Sequence, residues 1–174
     1  MTYLWRYKTL EGFDDLLMSS DGENLIGLWF EKSDDEKKHD IQCEEKALPV
    51  FKRTEEWLDA YFMGRPLDEI PKIRIFNQTD FRAEVMEIMS KIPYGKTVTY
   101  GYIAAKIAEK RGLKRMSAQA VGGAVGWNPI CIIIPCHRVI GSDGSLTGYG
   151  GGIENKRRLL EHEKSGFRLA KTEE

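Results

Sequence analysis

Apolar and polar residues alternate along Tyr3-Leu4-Trp5-Arg6-Tyr7-Lys8, and an apolar run from Asn24 to Phe30 follows the turn signal Asp21-Gly22. Alternation with this punctuation predicts strands of a small antiparallel sheet. From Pro49 to Met63 the period changes. Phe51, Trp57, Leu58, Tyr61 and Phe62 recur at helical spacing, so this segment should lie on the sheet as an amphipathic helix until Gly64-Arg65-Pro66 stops it. An aromatic stripe of this kind reads as core. The intervening stretch Ser33 to Glu45, with Asp34-Asp35-Glu36-Lys37-Lys38, reads as a solvated loop or exposed helix edge with no interaction role.

Pro71 opens a segment toward Phe76, and a boundary is expected between Phe76 and Asp80. Beyond it the pattern is helical. Thr79 can cap a helix that buries Phe81, Val85, Ile88 and Met89 before Pro93-Tyr94-Gly95 breaks it. Tyr100 to Glu109 forms a second helix with Ile103, Ala104 and Ile107 inward, and a turn rich in Lys110, Arg111, Lys114 and Arg115 leads to Ser117 and a third. The last two helices assemble naturally as a helix-turn-helix. The expected class is α/β in the α+β sense: an N-terminal α/β domain over residues 1–78, then a mainly helical, winged-helix-like domain over residues 79–174.

The third helix is nearly bald. Ala118, Ala120, Gly122, Gly123, Ala124 and Gly126 leave little side-chain bulk, although each interior glycine costs about 1 kcal/mol of helix propensity relative to alanine. Two readings compete: close packing against another helix, or a helix slim enough to enter a minor groove about 6 Å wide. After it, an apolar, β-branched run reads as a strand that Pro135 must end, which puts Cys136 at a strand tip beside His137.

Composition narrows the possibilities. The chain has 174 residues and a formal net charge of −1, so nucleic-acid binding has to rest on a local patch. Lys106, Lys110, Lys114 and Arg115 are candidates for one. The three cysteines, Cys43, Cys131 and Cys136, show no paired spacing, which argues for a reducing compartment. Met1 is followed by polar and charged residues with no apolar span, so a cytoplasmic protein without membrane association is expected. His39 and Cys43 are the only neighbouring ligand types in the first half, fewer than a structural zinc site needs, and no metal is expected.

A thiolate is the most nucleophilic side chain near neutral pH, whereas a free cysteine after proline is otherwise a small buried hydrophobe. The flanking residues favour chemistry. Ile92-Pro93-Tyr94-Gly95, Thr99-Tyr100-Gly101, Ser117 to Pro129, Pro135-Cys136-His137-Arg138, Leu146-Thr147-Gly148-Tyr149-Gly150-Gly151-Gly152 and Lys156 with Leu159-Leu160-Glu161-His162-Glu163 stand in order from Phe81 to Glu163. Together they closely resemble the O6-alkylguanine-DNA alkyltransferases.

That resemblance implies irreversible transfer of an alkyl group from O6 of guanine, or O4 of thymine, in double-stranded DNA to Cys136. The expected protein is a monomer without cofactor that is consumed after one event. It implies that His137 takes the thiol proton through water, oriented by Glu163, and that Tyr149, Lys156 and Asn128 complete the catalytic set, Asn128 as a hinge. Tyr100 would press on the target phosphate. Gln119, where the family has an arginine, would fill the space of a flipped nucleotide, and Ala120, Gly122 and Gly123 would lie in the minor groove. Main-chain groups of Gly150, a serine in some members, and of Gly151 would stand near O6. Arg138, grouped with the substrate side, is expected to brace the two halves. Cys131 stands where some members have a proline, so O6-benzylguanine is expected to react weakly and Cys131→Pro to improve it. Residue spacing adds its own argument: Lys156, Leu159, Leu160 and Glu163 share one helical face, and an inward carboxylate needs a partner.

Three other classes compete. A cysteine peptidase would bring its thiol and imidazole from separate segments, which the adjacency of Cys136 and His137 makes awkward. A non-catalytic damage sensor would lack the cysteine. A transcription factor would read bases with long polar side chains, and this helix offers chiefly Gln119.

Overall fold

The computed structural model describes residues 1–172, with side chains through residue 165. The first half is a four-stranded sheet in the order β3-β2-β1-β4, formed by β1 (Tyr3–Tyr7), β2 (Leu16–Ser20), β3 (Leu25–Phe30) and β4 (Glu44–Glu45). The first three pair antiparallel; β1 and β3 fall in the two segments read as strands, whereas β2 lies outside both. The sheet is nonetheless mixed, because β4 runs parallel to β1. The expected Asp21-Gly22 turn joins β2 to β3, with Asp21 Oδ1 accepting from Asn24 N at 2.8 Å and Gly22 at φ 111°.

Helix α1 (Pro49–Phe62) packs on this sheet, burying Phe51, Trp57, Leu58, Tyr61 and Phe62. Pro49 occupies a first-turn position, where its missing N–H is no loss. Trp5 stacks on Phe51, and Tyr7 on Phe62. The helix ends at Met63, and Gly64 takes the left-handed conformation at φ 78°.

Helices α2 (Asp80–Ser90), α3 (Tyr100–Arg111) and α4 (Ala118–Trp127) follow, each started by a hydroxyl. Thr79 accepts from Arg82 N, Thr99 from Tyr102 N and Ser117 from Ala120 N, at 3.2, 3.0 and 3.1 Å. Gly112, at φ 65°, closes α3 and opens the turn to α4. Two-residue strands β5 (Val98–Thr99) and β6 (Val139–Ile140) pair in parallel, and α5 (Ile153–Thr172) ends the described chain. The segment after α4 bonds to the free edge of β3: Leu28 N donates to Pro129 O at 2.9 Å, and Cys131 N to Leu28 O at 3.0 Å. A continuous buried cluster runs from Leu16 through Met89 and Ile107 to Leu159.

The strand expected before Pro135 is not one. After the single bridge at Ile130, residues 131–134 form tight turns, with Ile132 in the left-handed region at φ 64°. Asn128 overrides the β-branched preference by bonding both ends of the run. Its Oδ1 accepts from Ile130 N at 3.0 Å and its Nδ2 donates to Ile134 O at 2.8 Å. An inverse γ-turn at Pro135 (φ −82°, ψ 65°) then starts a single 3₁₀ turn, Cys136–Arg138. Among the described residues no helix is long and apolar enough to cross a membrane.

Candidate active site

Pro135 delivers Cys136 to the first position of the 3₁₀ turn, where its side chain is 6 % exposed at the base of a small pocket. Burial pushes the thiol above its ordinary value. The nearby Asn128 amide and the cations of Lys38 and Lys156 pull it down, and Asp35 pushes it up. The net effect keeps a proton on sulfur at neutral pH, so reactivity requires a base.

A candidate base, His137, is one residue away and faces elsewhere. His137 is fully buried, with Nε2 at 2.6 Å from Glu163 Oε1 and Nδ1 without a hydrogen-bond partner among the described residues. Burial lowers its pKa, against the opposing pull of Glu163, so the ring is neutral near pH 7. A neutral imidazole facing a carboxylate through Nε2 places its proton there, which leaves Nδ1 as the acceptor.

Glu163, fully buried on α5, is the inward carboxylate that the helical spacing predicted, and its partners are several. Tyr61 Oη donates to Oε1 at 2.8 Å, Gly95 N to Oε2 at 3.1 Å, and Arg138 reaches both oxygens with bonds of 2.9–3.0 Å. Burial alone would raise this carboxyl, but His137 and Arg138 outweigh it and hold it at about 2. Arg138 also donates to Ile92 O at 2.7 Å, so it ties three elements together. Although grouped with the substrate side, it is 7 % exposed and lines neither the thiol pocket nor the groove of α4.

Around the thiol the structure gathers Asn128, Tyr149, Gly148 and Gly150. Lys156 is fully buried; it donates to Val139 O at 2.7 Å, and its ammonium lies 5.6 Å from the Tyr149 ring centre. Gly151 is buried where a Cβ would press on Tyr149 and Phe30. Cys131 is buried too, but it is absent from the pocket lining and its N–H is bonded to Leu28 O. A proline there would forfeit that bond, so Cys131→Pro is no longer expected to improve reactivity.

Beside the pocket runs an open groove of about 560 Å³ lined by Tyr100, Gly101, Ala118, Gln119, Gly122, Ser142, Thr147 and Gly148. Gln119 and Ala120 are exposed in the first turn of α4. Tyr100 Oη donates to Thr147 O at 3.2 Å. A Cβ at Gly123 or Gly126 would meet nothing within 4 Å, and one at Gly122 would only touch the Tyr100 ring at 3.9 Å. Close helix packing therefore does not explain the glycines of α4, although Ala124 is buried in the core. Lys106 and Lys110 line a different groove with Glu84 and Glu87, so they are not part of the surface that holds Gln119.

Three contributors were not anticipated. Asp35 and Lys38, in the charged stretch expected to be solvated, line the thiol pocket, with Asp35 5 % exposed in the 3₁₀ turn Asp34–Lys38. Tyr61, expected only as core, holds Glu163. His39 stacks on Trp29 at 3.9 Å, and Cys43 Sγ donates to Asp40 O at 3.0 Å.

Comparison with known proteins agrees with this geometry. A family model described as the 6-O-methylguanine DNA methyltransferase DNA-binding domain matches residues 80–165. A methylated-DNA–protein-cysteine methyltransferase of Haemophilus influenzae is 40 % identical over 153 residues, covering 86 % of this chain and 80 % of the relative. One from Mycobacterium tuberculosis is 50 % identical over 116 residues, 67 % of each chain. Among solved structures, Mycobacterium tuberculosis OGT in complex with DNA superposes with a TM-score of 0.78 at 36 % identity over 94 % of both chains. The O6-methylguanine-DNA methyltransferase of Pyrococcus kodakaraensis KOD1 gives a TM-score of 0.58 at 25 % identity, covering 94 % of this chain and 99 % of that one.

Proposed function

The chain belongs to the methylated-DNA–protein-cysteine methyltransferase family, and from that premise we propose that Cys136 takes the alkyl group from O6 of guanine in duplex DNA, once per molecule. The thiol proton passes through an intervening water to Nδ1 of His137, while Nε2–H stays on Glu163. The sulfur then displaces the alkyl carbon in line: the S–C bond forms, the C–O6 bond breaks, and its electron pair leaves with guanine. The proton held by His137 balances the charge on the departing base. Because a thioether does not hydrolyse under mild conditions, the protein ends as a stable alkyl adduct.

The observation that carries this reading is the orientation of His137, with Nε2 fixed on a carboxylate and Nδ1 buried without a partner among the described residues, one residue from a thiol that burial keeps protonated. The groove lined by Tyr100, Gln119 and Gly122 supports binding through α4 in the minor groove, with Gln119 as the wedge behind a flipped nucleotide. Asn128 and Lys156 fix the turn that carries the thiol, while Tyr149 and Gly150 line the pocket that would take the base, with Gly151 packed behind Tyr149.

Cys136→Ser tests the assignment. The hydroxyl has nearly the same shape but is a far poorer nucleophile, so duplex binding is expected to survive while methyl transfer is lost. Transfer at the unaltered rate would refute the role of Cys136.

A further inference from the structure

The charged turn Asp34–Lys38 puts an ion pair where the thiol pocket opens. Asp35 N donates to Gly150 O at 3.1 Å, which anchors the turn to the glycine loop. Lys38 Nζ lies 2.5 Å from Asp35 Oδ1 and also donates to Gly126 O at the end of α4. The pair therefore ties the glycine loop to the end of α4, and both its residues line the pocket that holds Cys136.

Three features indicate that the carboxylate occupies space meant for another group. The cavity left around Cys136 is only about 10 Å³, at the limit of what admits a single water. Asp35 Oδ1 is buried and, despite its charge partner, accepts no aligned hydrogen bond. A Cβ at Gly150 would overlap this oxygen, so Asp35 fills the volume that a side chain at residue 150 would need. A carboxylate so placed also opposes the negative charge that develops on a departing guanine, which makes this arrangement unsuited to the reaction itself.

We propose that Asp35, held by Lys38, is a specificity-determining gate: it closes the thiol pocket in the free protein, and the alkylated base enters only when the carboxylate swings out and the ion pair opens. The proposal rests on reading Cys136 as the alkyl acceptor. A benzyl group needs a wider opening than a methyl group, so the gate discriminates by size. Lys38 then stays at the end of α4, beside the groove.

The test compares the protein with Asp35→Ala and Asp35→Asn in three reactions: carbamidomethylation of Cys136 by iodoacetamide followed by peptide mass, reaction with free O6-benzylguanine, and methyl transfer from an O6-methylguanine duplex. A pocket open about a tenth of the time reacts about tenfold more slowly than an open one. Asp35→Ala is therefore expected to raise the benzylguanine rate about tenfold, and the rates with the smaller iodoacetamide and methyl groups by less. Asp35→Asn, with the same bulk and no charge, should give a clearly smaller rise. Unchanged iodoacetamide and benzylguanine rates in Asp35→Ala would overturn the gate. Failure of the unaltered protein to accept methyl from the duplex, with the iodoacetamide pattern as expected, would instead overturn the alkyl-acceptor reading and leave the gate in place.

Discussion

His137 Nε2 lies 2.6 Å from Glu163 Oε1, and both side chains are fully buried. This contact fixes the ring and its tautomer, so its loss should show in the rate and in the pH profile together. Glu163→Gln is expected to slow single-turnover methyl transfer at neutral pH by about 100-fold or more. The pH–rate profile should move upward, because burial already raises the thiol and thiolate formation would lose its base. Rapid-quench kinetics across pH would show this, and an unmoved profile would remove His137 from the proton path.

The same pair makes stability depend on pH. Burial lowers His137, so its contribution is full above its ordinary 6.5 and is lost as pH falls toward its folded value. Glu163 is lowered from 4.5 to about 2, so its contribution is present above 4.5 and is lost as pH falls through about 2. That second step corresponds to about 3 kcal/mol. Thermal denaturation should therefore give a melting temperature that declines on acidification in both windows. Glu163→Gln should abolish the lower one.

Tyr61 hydroxyl donates to Glu163 Oε1 at 2.8 Å from the opposite half of the chain. Tyr61→Phe keeps the ring in the core and deletes this donor, at an expected cost of about 1.5–3 kcal/mol, as for hydrogen bonds to charged groups. Transfer should slow several-fold with duplex affinity unchanged. Urea denaturation and single-turnover rates on one preparation would measure both effects.

The glycines of α4 separate packing from binding. A methyl group added at Gly123 would enter open space, so Gly123→Ala is expected to raise stability by roughly 1 kcal/mol through helix propensity. If α4 enters the minor groove, the same methyl group weakens duplex binding. A stabilised variant with unaltered DNA affinity would show that α4 stays outside the groove.

Gln119 stands exposed in the groove beside α4. Gln119→Arg should tighten binding and steepen its salt dependence by up to about one phosphate equivalent. Gln119→Ala should slow repair of duplex DNA far more than reaction with a free alkylated base, since only the duplex needs a wedge. Equal slowing in both reactions would mean that Gln119 supports the pocket instead.

The features legible in the sequence are those with local causes. The hydroxyl cap at Thr79 and the 3.6-residue period mark α2, and the spacing from Lys156 to Glu163 alone points the carboxylate inward. What escapes a sequence reading depends on distant contacts. Strand β2, Leu16–Ser20, is buried at every position, so it lacks the alternation that marks a strand. Asp35 belongs to a charge run that looks solvated; only its bond to Gly150, far along the chain, makes it part of the pocket. The hydroxyl of Tyr61 is hidden in an aromatic stripe. The run before Pro135 has strand composition, yet two bonds from Asn128 fold it into turns.

Intact mass and peptide mapping after incubation with excess duplex containing O6-methylguanine test the central claim most directly. The expected result is one added methyl per molecule, on Cys136 alone, with Cys43 and Cys131 unmodified. Methyl on another residue, an unmodified protein, or more methyl groups removed from DNA than protein molecules present would contradict it.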